Sequence, residues 1–362
     1  MKTKRYLAVI FLTISLFLCV GCQYDKVGAL NQVAAPDNTF ISQEFTLPVT
    51  LAPGETVQYE IVGSLCTEGS FENKAIQLLL SGSTYGSVYW DFPYQSPHYS
   101  YVRAACKAGY VTINIDRIGI GKSSHPPGDD VTIYSNAYVV DQIIKALRSG
   151  QIGDVSFDHV ILVGHSLGST ISLIIAEQYP DDIDGVILEG FLHKGVTPRG
   201  LSTEFYPANQ DPRFSHLNLD VNYNTTEPGK RTIFYHLPNA DQAVIEMDEE
   251  TKETLTNGEI KSSLGTIGSK KSKLLMVPTL IIIGQFDAFF CVGDQGCVDT
   301  AEIVKSEQPF FSPETCLEVF IVPDSGHDIN LHRNAQATFT SMLNWADQHV
   351  GANDAKDGVC NH

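Results

Sequence analysis

Apolar and polar positions alternate loosely over residues 40–65, in two pieces, 44–49 and 56–62, separated by Ala52-Pro53-Gly54-Glu55. Alternation with a period of two gives a strand one covered face and one wet face, and Pro-Gly marks a turn. The stretch therefore predicts an antiparallel hairpin. The pattern then changes. Residues 75–80, 110–115, 159–163, 185–189, 279–283 and 317–322 are short, nearly continuous apolar runs. Such runs suit strands of a parallel sheet that are covered on both faces. Helical spacing separates them, at 99–107, at 134–148 through Tyr138, Ile143, Ile144 and Leu147, at 169–179, and at the end around 338–349. Repeated strand–helix–strand units predict an α/β fold, a doubly wound, mostly parallel sheet with helices on both faces and an N-terminal antiparallel hairpin.

The rhythm breaks at residues 191–272. Pro198, Pro207, Pro212, Pro228 and Pro238 fall there among scattered aromatics, with a helix-capable acidic segment at 239–255. The stretch is too long for a plain connection, so a cap or lid inserted above the sheet is expected, with a long ordered loop as the alternative. The core then divides into 40–190 and 273–362.

The N-terminus reads as a processing signal. Lys2, Lys4 and Arg5 precede an apolar run at 7–20 that is short for a membrane span and fits a signal-peptide core, so residues 1–21 are expected to be removed. Two outcomes compete. Cys19-Val20-Gly21-Cys22 resembles a bacterial lipoprotein signal, with Cys22 lipidated, although Cys19 stands where an aliphatic residue is usual. The alternative is ordinary cleavage to a soluble product. Residues 22–39 read as a flexible tether. Both outcomes put the mature chain outside the cytoplasm, secreted or held at the cell envelope.

Export changes the reading of the cysteines. With Cys19 removed and Cys22 lipidated, Cys66, Cys106, Cys291, Cys297, Cys316 and Cys360 remain. Six cysteines allow 15 pairings into three disulfides. Cys291 with Cys297 is the first expectation, and Cys316 with Cys360 and Cys66 with Cys106 are weaker ones. No Cys-x-x-Cys spacing suggests a zinc centre, and no metal or cofactor is expected. The formal charge of −18 argues against a nucleic-acid partner, which needs a basic surface. The 43% hydrophobic content over 362 residues is enough for a large core. Oligomeric state is not legible.

Chemistry enters at Gly164-His165-Ser166-Leu167-Gly168, which lies between an apolar run and a helical one. A serine between glycines at a strand-to-helix turn is held out over the sheet with its hydroxyl exposed. A serine needs a base to become a nucleophile. Two loops at later strand ends supply candidates: Gln285-Phe286-Asp287 delivers Asp287, and Asp324-Ser325-Gly326-His327 delivers His327. The order Ser166, Asp287, His327 is nucleophile, acid, base. Glu189 is the rival acid. Asp324 and Asp328 are too local to orient His327. His332 reads as a helix-start or surface residue, and His165 as packing beneath the strand end. Gly119-Ile120-Gly121-Lys122-Ser123 is not a phosphate loop, because position 116 is Asp where that loop needs Gly.

These segments resemble the α/β-hydrolase superfamily, in its cap-bearing serine esterase and lipase branches. The resemblance also rests on Ser81-Gly82-Ser83-Thr84-Tyr85-Gly86 and Asp116-Arg117-Ile118-Gly119, and it spans nearly all of the chain after residue 40. It implies an oxyanion hole from the N–H groups of Leu167 and Ser83, or Thr84 if the early loop threads one residue differently. The early loop has Ser81-Gly82 where the family usually has His-Gly. A serine nucleophile points away from dehalogenase and epoxide-hydrolase chemistry, which in this superfamily uses Asp.

The expected function is hydrolysis of a carboxylic ester, small or lipid-like, through an acyl-enzyme. A peptidase, lactonase or thioesterase could use the same triad, and an exported binding protein could keep the fold without catalysis. Tyr85, Trp90, Phe191 and Phe286 are candidate substrate-lining residues, with Phe92, Tyr94, Phe289 and Phe290 nearby, and core or lid packing is the equal alternative for all of them. Asp116, Arg117 and Ser123 are expected to tie down the loop beneath the site.

Overall fold

The computed structural model describes residues 40–266, 268–353 and 360. The expected signal peptide, Cys22 and the tether lie outside these residues. The hairpin forms from β1 (Phe40–Val49) and β2 (Tyr59–Glu68), antiparallel over their full length. The apolar runs become β3 (Ile76–Leu80), β4 (Val111–Ile115), β5 (Val160–His165) and β6 (Gly185–Glu189). The insertion supplies β7 (Phe205–Pro207), β8 (Tyr223–Thr226) and β9 (Leu255–Thr256). The core resumes with β10 (Thr279–Gly284) and β11 (Glu318–Val322).

The main sheet has the order β1-β2-β4-β3-β5-β6-β10-β11, antiparallel as far as β4 and parallel from β4 onward. Successive strand side chains point to opposite faces, and both faces are apolar. Ile76, Leu78, Val160, Leu162, Ile281 and Ile283 pack with the helices Ile133–Arg148 and Leu167–Gln178. Leu79, Ile161, Val163, Leu280 and Ile282 pack on the other face with Tyr101–Lys107 and Ala335–His349. This is why the central runs show no alternation.

Between β6 and β10 the chain builds a small antiparallel sheet, β7-β8-β9, and the helices Gln242–Thr251 and Asn257–Ser263. The first helix is shorter than the 239–255 segment suggested. Residues 252–256 are extended instead, because Glu253 N–H donates to Thr84 O at 2.9 Å and Thr84 N–H to Thr254 O at 3.3 Å.

Cys291 and Cys297 are bridged, with Cα atoms 5.2 Å apart, and Cys316 is bridged to Cys360. Cys66 and Cys106 remain buried free thiols in hydrogen-bond contact, not the disulfide that was a weaker expectation.

Candidate active site

Ser166 follows β5 and caps the helix Leu167–Gln178 with φ 53° and ψ −112°. A non-glycine residue in this region is strained and survives only when its surroundings hold it. They do so here. Ser166 N–H donates to Glu189 O at 2.8 Å, and Ser169 Oγ donates to Gly164 O and Glu189 O at 2.7 and 2.8 Å. A Cβ at Gly168 would lie 2.0 Å from Leu80 O, so the elbow packs against β3 only with glycine there.

Asp287 and His327 leave the ends of β10 and β11, adjacent parallel strands. His327 Nδ1 lies 2.8 Å from Asp287 Oδ2, with both residues buried. Asp287 Oδ1 accepts the N–H groups of Phe289 and Phe290 at 2.7 and 3.2 Å, which orients the carboxylate. Ser166 and His327 line one pocket. A Cβ on Gly190, itself at φ 59°, would come 3.1 Å from His327 Cε1, so the imidazole lies over the end of β6. The rival Glu189 is taken up elsewhere, accepting from Tyr89 Oη at 2.7 Å and Asn330 Nδ2 at 3.2 Å. Burial raises its pKa to about 8.

The early loop turns back under Ser166 with Thr84 at φ 61°. Thr84 N–H is engaged by Thr254 O, and Tyr85 N–H by Gly82 O at 3.3 Å. Ser83 N–H has no such acceptor among the described residues. Leu167 N–H, in the first turn of its helix, has no intrahelical acceptor. The threading therefore leaves Ser83, and not Thr84, with a spare donor.

Two arginines hold this loop. Arg117 donates from Nε to Ser81 O at 2.9 Å and from Nη2 to Gly82 O at 3.1 Å, and pairs with Glu259 of the insertion. Asp116 accepts Ser87 N–H and Lys122 N–H at 2.9 Å each, while Ser123 Oγ donates to Asp116 O at 2.6 Å. Arg231, from the insertion, reaches Thr84 Oγ1 at 3.1 Å and Asp248 Oδ1 at 2.8 Å, and stacks 4.1 Å from the Tyr85 ring centroid. Asp248, Arg231 and Glu259 were not singled out from sequence, since their partners lie 17 to 147 positions away.

His165 is buried, stacked on Tyr89 with centroids 4.2 Å apart, and its Nε2 lies 3.5 Å from Asp328 Oδ1. Burial, with the neighbouring His327 second, holds its pKa well below the usual value. Asp328 also takes a hydrogen bond from Tyr85 Oη, and burial, then the nearby Asp248, pushes its carboxyl well up. His332 corrects the sequence reading. It is fully buried, not at the surface, and accepts Gly326 N–H at 3.0 Å and His236 N–H at 2.9 Å on Nε2 while Nδ1 donates to Asp328 O at 2.8 Å. It fastens both sides of His327. Its signal in sequence, a second histidine five positions on, carried no direction.

The pocket has a volume of about 230 Å³. Phe191, Phe234, Phe289, Phe290 and Leu255 form much of its wall, and Tyr85 reaches it as well. Trp90 and Phe286 do not. Trp90 is buried against Tyr89 and Tyr101, and Phe286 stacks on His236 at 4.1 Å. No cluster of metal-ligating side chains occurs among the described residues.

A second Ser–His–carboxylate series lies outside the pocket. His193 Nε2 is 2.9 Å from Ser272 Oγ, and its Nδ1 is 2.7 Å from Glu307 Oε2. Ser272 is 1% exposed and on no elbow, so the series acts as a clasp that joins the exit of β6 to the turn Lys271–Leu274.

Comparison with solved structures places the fold. An esterase from Thermogutta terrifontis superposes with a TM-score of 0.55 at 19% identity, over 84% of this chain and 98% of that one. A monoacylglycerol lipase from Paleococcus ferrophilus gives 0.54 at 16% identity, over 76% and 94%. A bromoperoxidase from Bacillus anthracis gives 0.56 at 17% identity, over 84% and 100%. At such identities the likeness speaks for the fold and leaves substrate open. No curated protein matches in sequence. The family model described as "Alpha/beta hydrolase family" matches residues 77–339, well over half of the sequence and including Ser166, Asp287 and His327, and the chain belongs to that family.

Proposed function

We propose that this α/β hydrolase cleaves carboxylic esters, with Ser166 as nucleophile, His327 as base and Asp287 as the acid that orients it. The 2.8 Å bond between His327 Nδ1 and Asp287 Oδ2, beside the strained Ser166 elbow, carries the reading. With Nδ1–H held by the carboxylate, Nε2 is left with a lone pair to accept the Ser166 proton as Oγ attacks the ester carbonyl. Negative charge developing on the carbonyl oxygen is met by the N–H groups of Leu167 and Ser83. The protonated His327 then gives its proton to the leaving alcohol. A water activated by the same imidazole frees the acid and restores Ser166.

Esters are favoured over peptides by the pocket, whose wall is apolar and offers few partners to a peptide backbone. At about 230 Å³ it is smaller than the ~300–1,000 Å³ usual for drug-sized ligands, which suits a single acyl chain. Ser166→Ala is expected to abolish ester turnover and labelling by a fluorophosphonate while the fold survives. Normal turnover in that variant would refute the assignment, and faster cleavage of amides, lactones or thioesters by the native chain would reassign the substrate.

We propose also that the chain is exported, with Cys22 lipidated in one form, which takes the formal charge from −18 to −21 as Lys2, Lys4 and Arg5 are lost. The mass of the mature N-terminal peptide tests both points.

A further inference from the structure

Charge is unevenly spread on this acidic chain. Residues 190–203 contain Lys194 and Arg199 and no acid, and residues 260–286 contain Lys261, Lys270, Lys271 and Lys273 and no acid, although the whole chain has 42 acidic residues against 24 basic ones. The fold brings these two segments together. Gly268 N–H donates to His193 O at 3.1 Å, and the His193–Ser272 bond fixes the lysine-rich turn beside Lys194.

Both segments also reach the mouth of the Ser166 pocket. Val196 and Leu201 line it from one, and Ile260 and Leu264 from the other. Leu201 is 71% exposed and Leu264 62%, with Ile260 and Phe205 also open to solvent beside them. Lys261 is paired with Asp129 at 2.8 Å. Lys194, Arg199, Lys270 and Lys273 are exposed and have no salt bridge among the described residues, while Lys271 is exposed beside the carboxylate of Glu177.

Large apolar side chains left in water around a pocket mouth mark an interaction surface. Exposed cations on the two segments that supply these side chains favour an anionic partner, because each Lys or Arg near a negatively charged membrane surface is attracted to it while the apolar side chains enter the acyl boundary. We infer that this face docks on an anionic lipid surface and admits an acyl chain from it to Ser166. The docking itself stands on charge and exposure. Only the chemistry after docking rests on the ester-hydrolase reading.

The test uses the full chain and two vesicle preparations, pure phosphatidylcholine and phosphatidylcholine with phosphatidylglycerol, read by co-sedimentation. The protein is expected to bind the anionic vesicles at least tenfold more tightly, and to lose that advantage in high salt. The triple variant Lys194→Glu, Lys270→Glu, Lys273→Glu is expected to lose it too, with turnover of a short soluble ester unchanged. Equal partition onto both vesicles in native and variant proteins overturns the inference. So does a native dimer that the same three changes dissociate, since a second copy would then be the occupant. Binding is read without turnover, so an inactive but vesicle-bound protein would count against the hydrolase reading alone.

Discussion

Arg117 and Glu259 form an ion pair at 2.5 Å with both side chains buried, and it joins the loop after β4 to the helix Asn257–Ser263 of the insertion. The same guanidinium holds Ser81 O and Gly82 O, so the loop that offers Ser83 N–H depends on a charge balanced from the insertion. Glu259→Gln leaves Arg117 buried without a counter-charge, which costs about 3–5 kcal/mol. A large drop in melting temperature is expected, with a fall in kcat at nearly constant KM in the protein that remains folded. An unchanged kcat would separate this pair from catalysis.

Asp287→Asn tests the orientation of His327. Asp287 Oδ1 faces two backbone donors, so the Asn carbonyl oxygen must take that place and its NH2 must face His327. Nδ1 would then have to accept, and the proton would sit on Nε2, where it blocks transfer from Ser166. The expected loss in kcat is about 10³–10⁴-fold, with little change in thermal stability. Activity within tenfold of the native protein would remove Asp287 from its role.

His332 predicts how stability depends on pH. Burial lowers its folded pKa to about 4 from 6.5, and its Nε2 must stay unprotonated to accept the N–H groups of Gly326 and His236. The unfolded chain takes up a proton on this ring as pH falls below 6.5, and the folded chain does not until about 4. The contribution is therefore complete above pH 6.5 and is lost as pH falls through that window, by roughly 3 kcal/mol. His332→Gln should lie well below the native protein in denaturant stability at pH 7.5 and converge with it near pH 4. A constant gap across that range would contradict this.

The strands of the main sheet could be read from sequence because each is short, apolar and bounded by turn residues, and two-sided burial leaves little ambiguity. The positions of Ser166, Asp287 and His327 were legible because each lies at or within a few residues of the carboxyl end of such a strand, so local pattern places all three at one end of the sheet. For Trp90 and Phe286 the sequence left pocket lining and packing open, and packing holds, because side-chain direction depends on partners, Tyr101 for one and His236 for the other. His332, Arg231 and Asp248 carry no local pattern. Their roles arise from buried polar atoms whose partners are partly distant in sequence, His236 for His332 and Thr84 for Arg231.

The two backbone hydrogen bonds between Thr84 and residues 253 and 254 bear on how this enzyme could be re-engineered or could diverge. A substrate-selecting insertion is commonly imagined as an interchangeable module, swapped between relatives to change specificity. Here a chimera that kept the core and replaced residues 191–272 would unstitch the early loop from its partner and leave the Arg117 charge unbalanced. Recombination is tolerated only where the incoming segment restores an extended strand opposite Thr84 and a carboxylate opposite Arg117. The stretch from Glu253 to Glu259 is thus tied to the early loop by backbone bonds and a buried ion pair, whereas Leu201 and Leu264 on the rim carry no such tie to that loop.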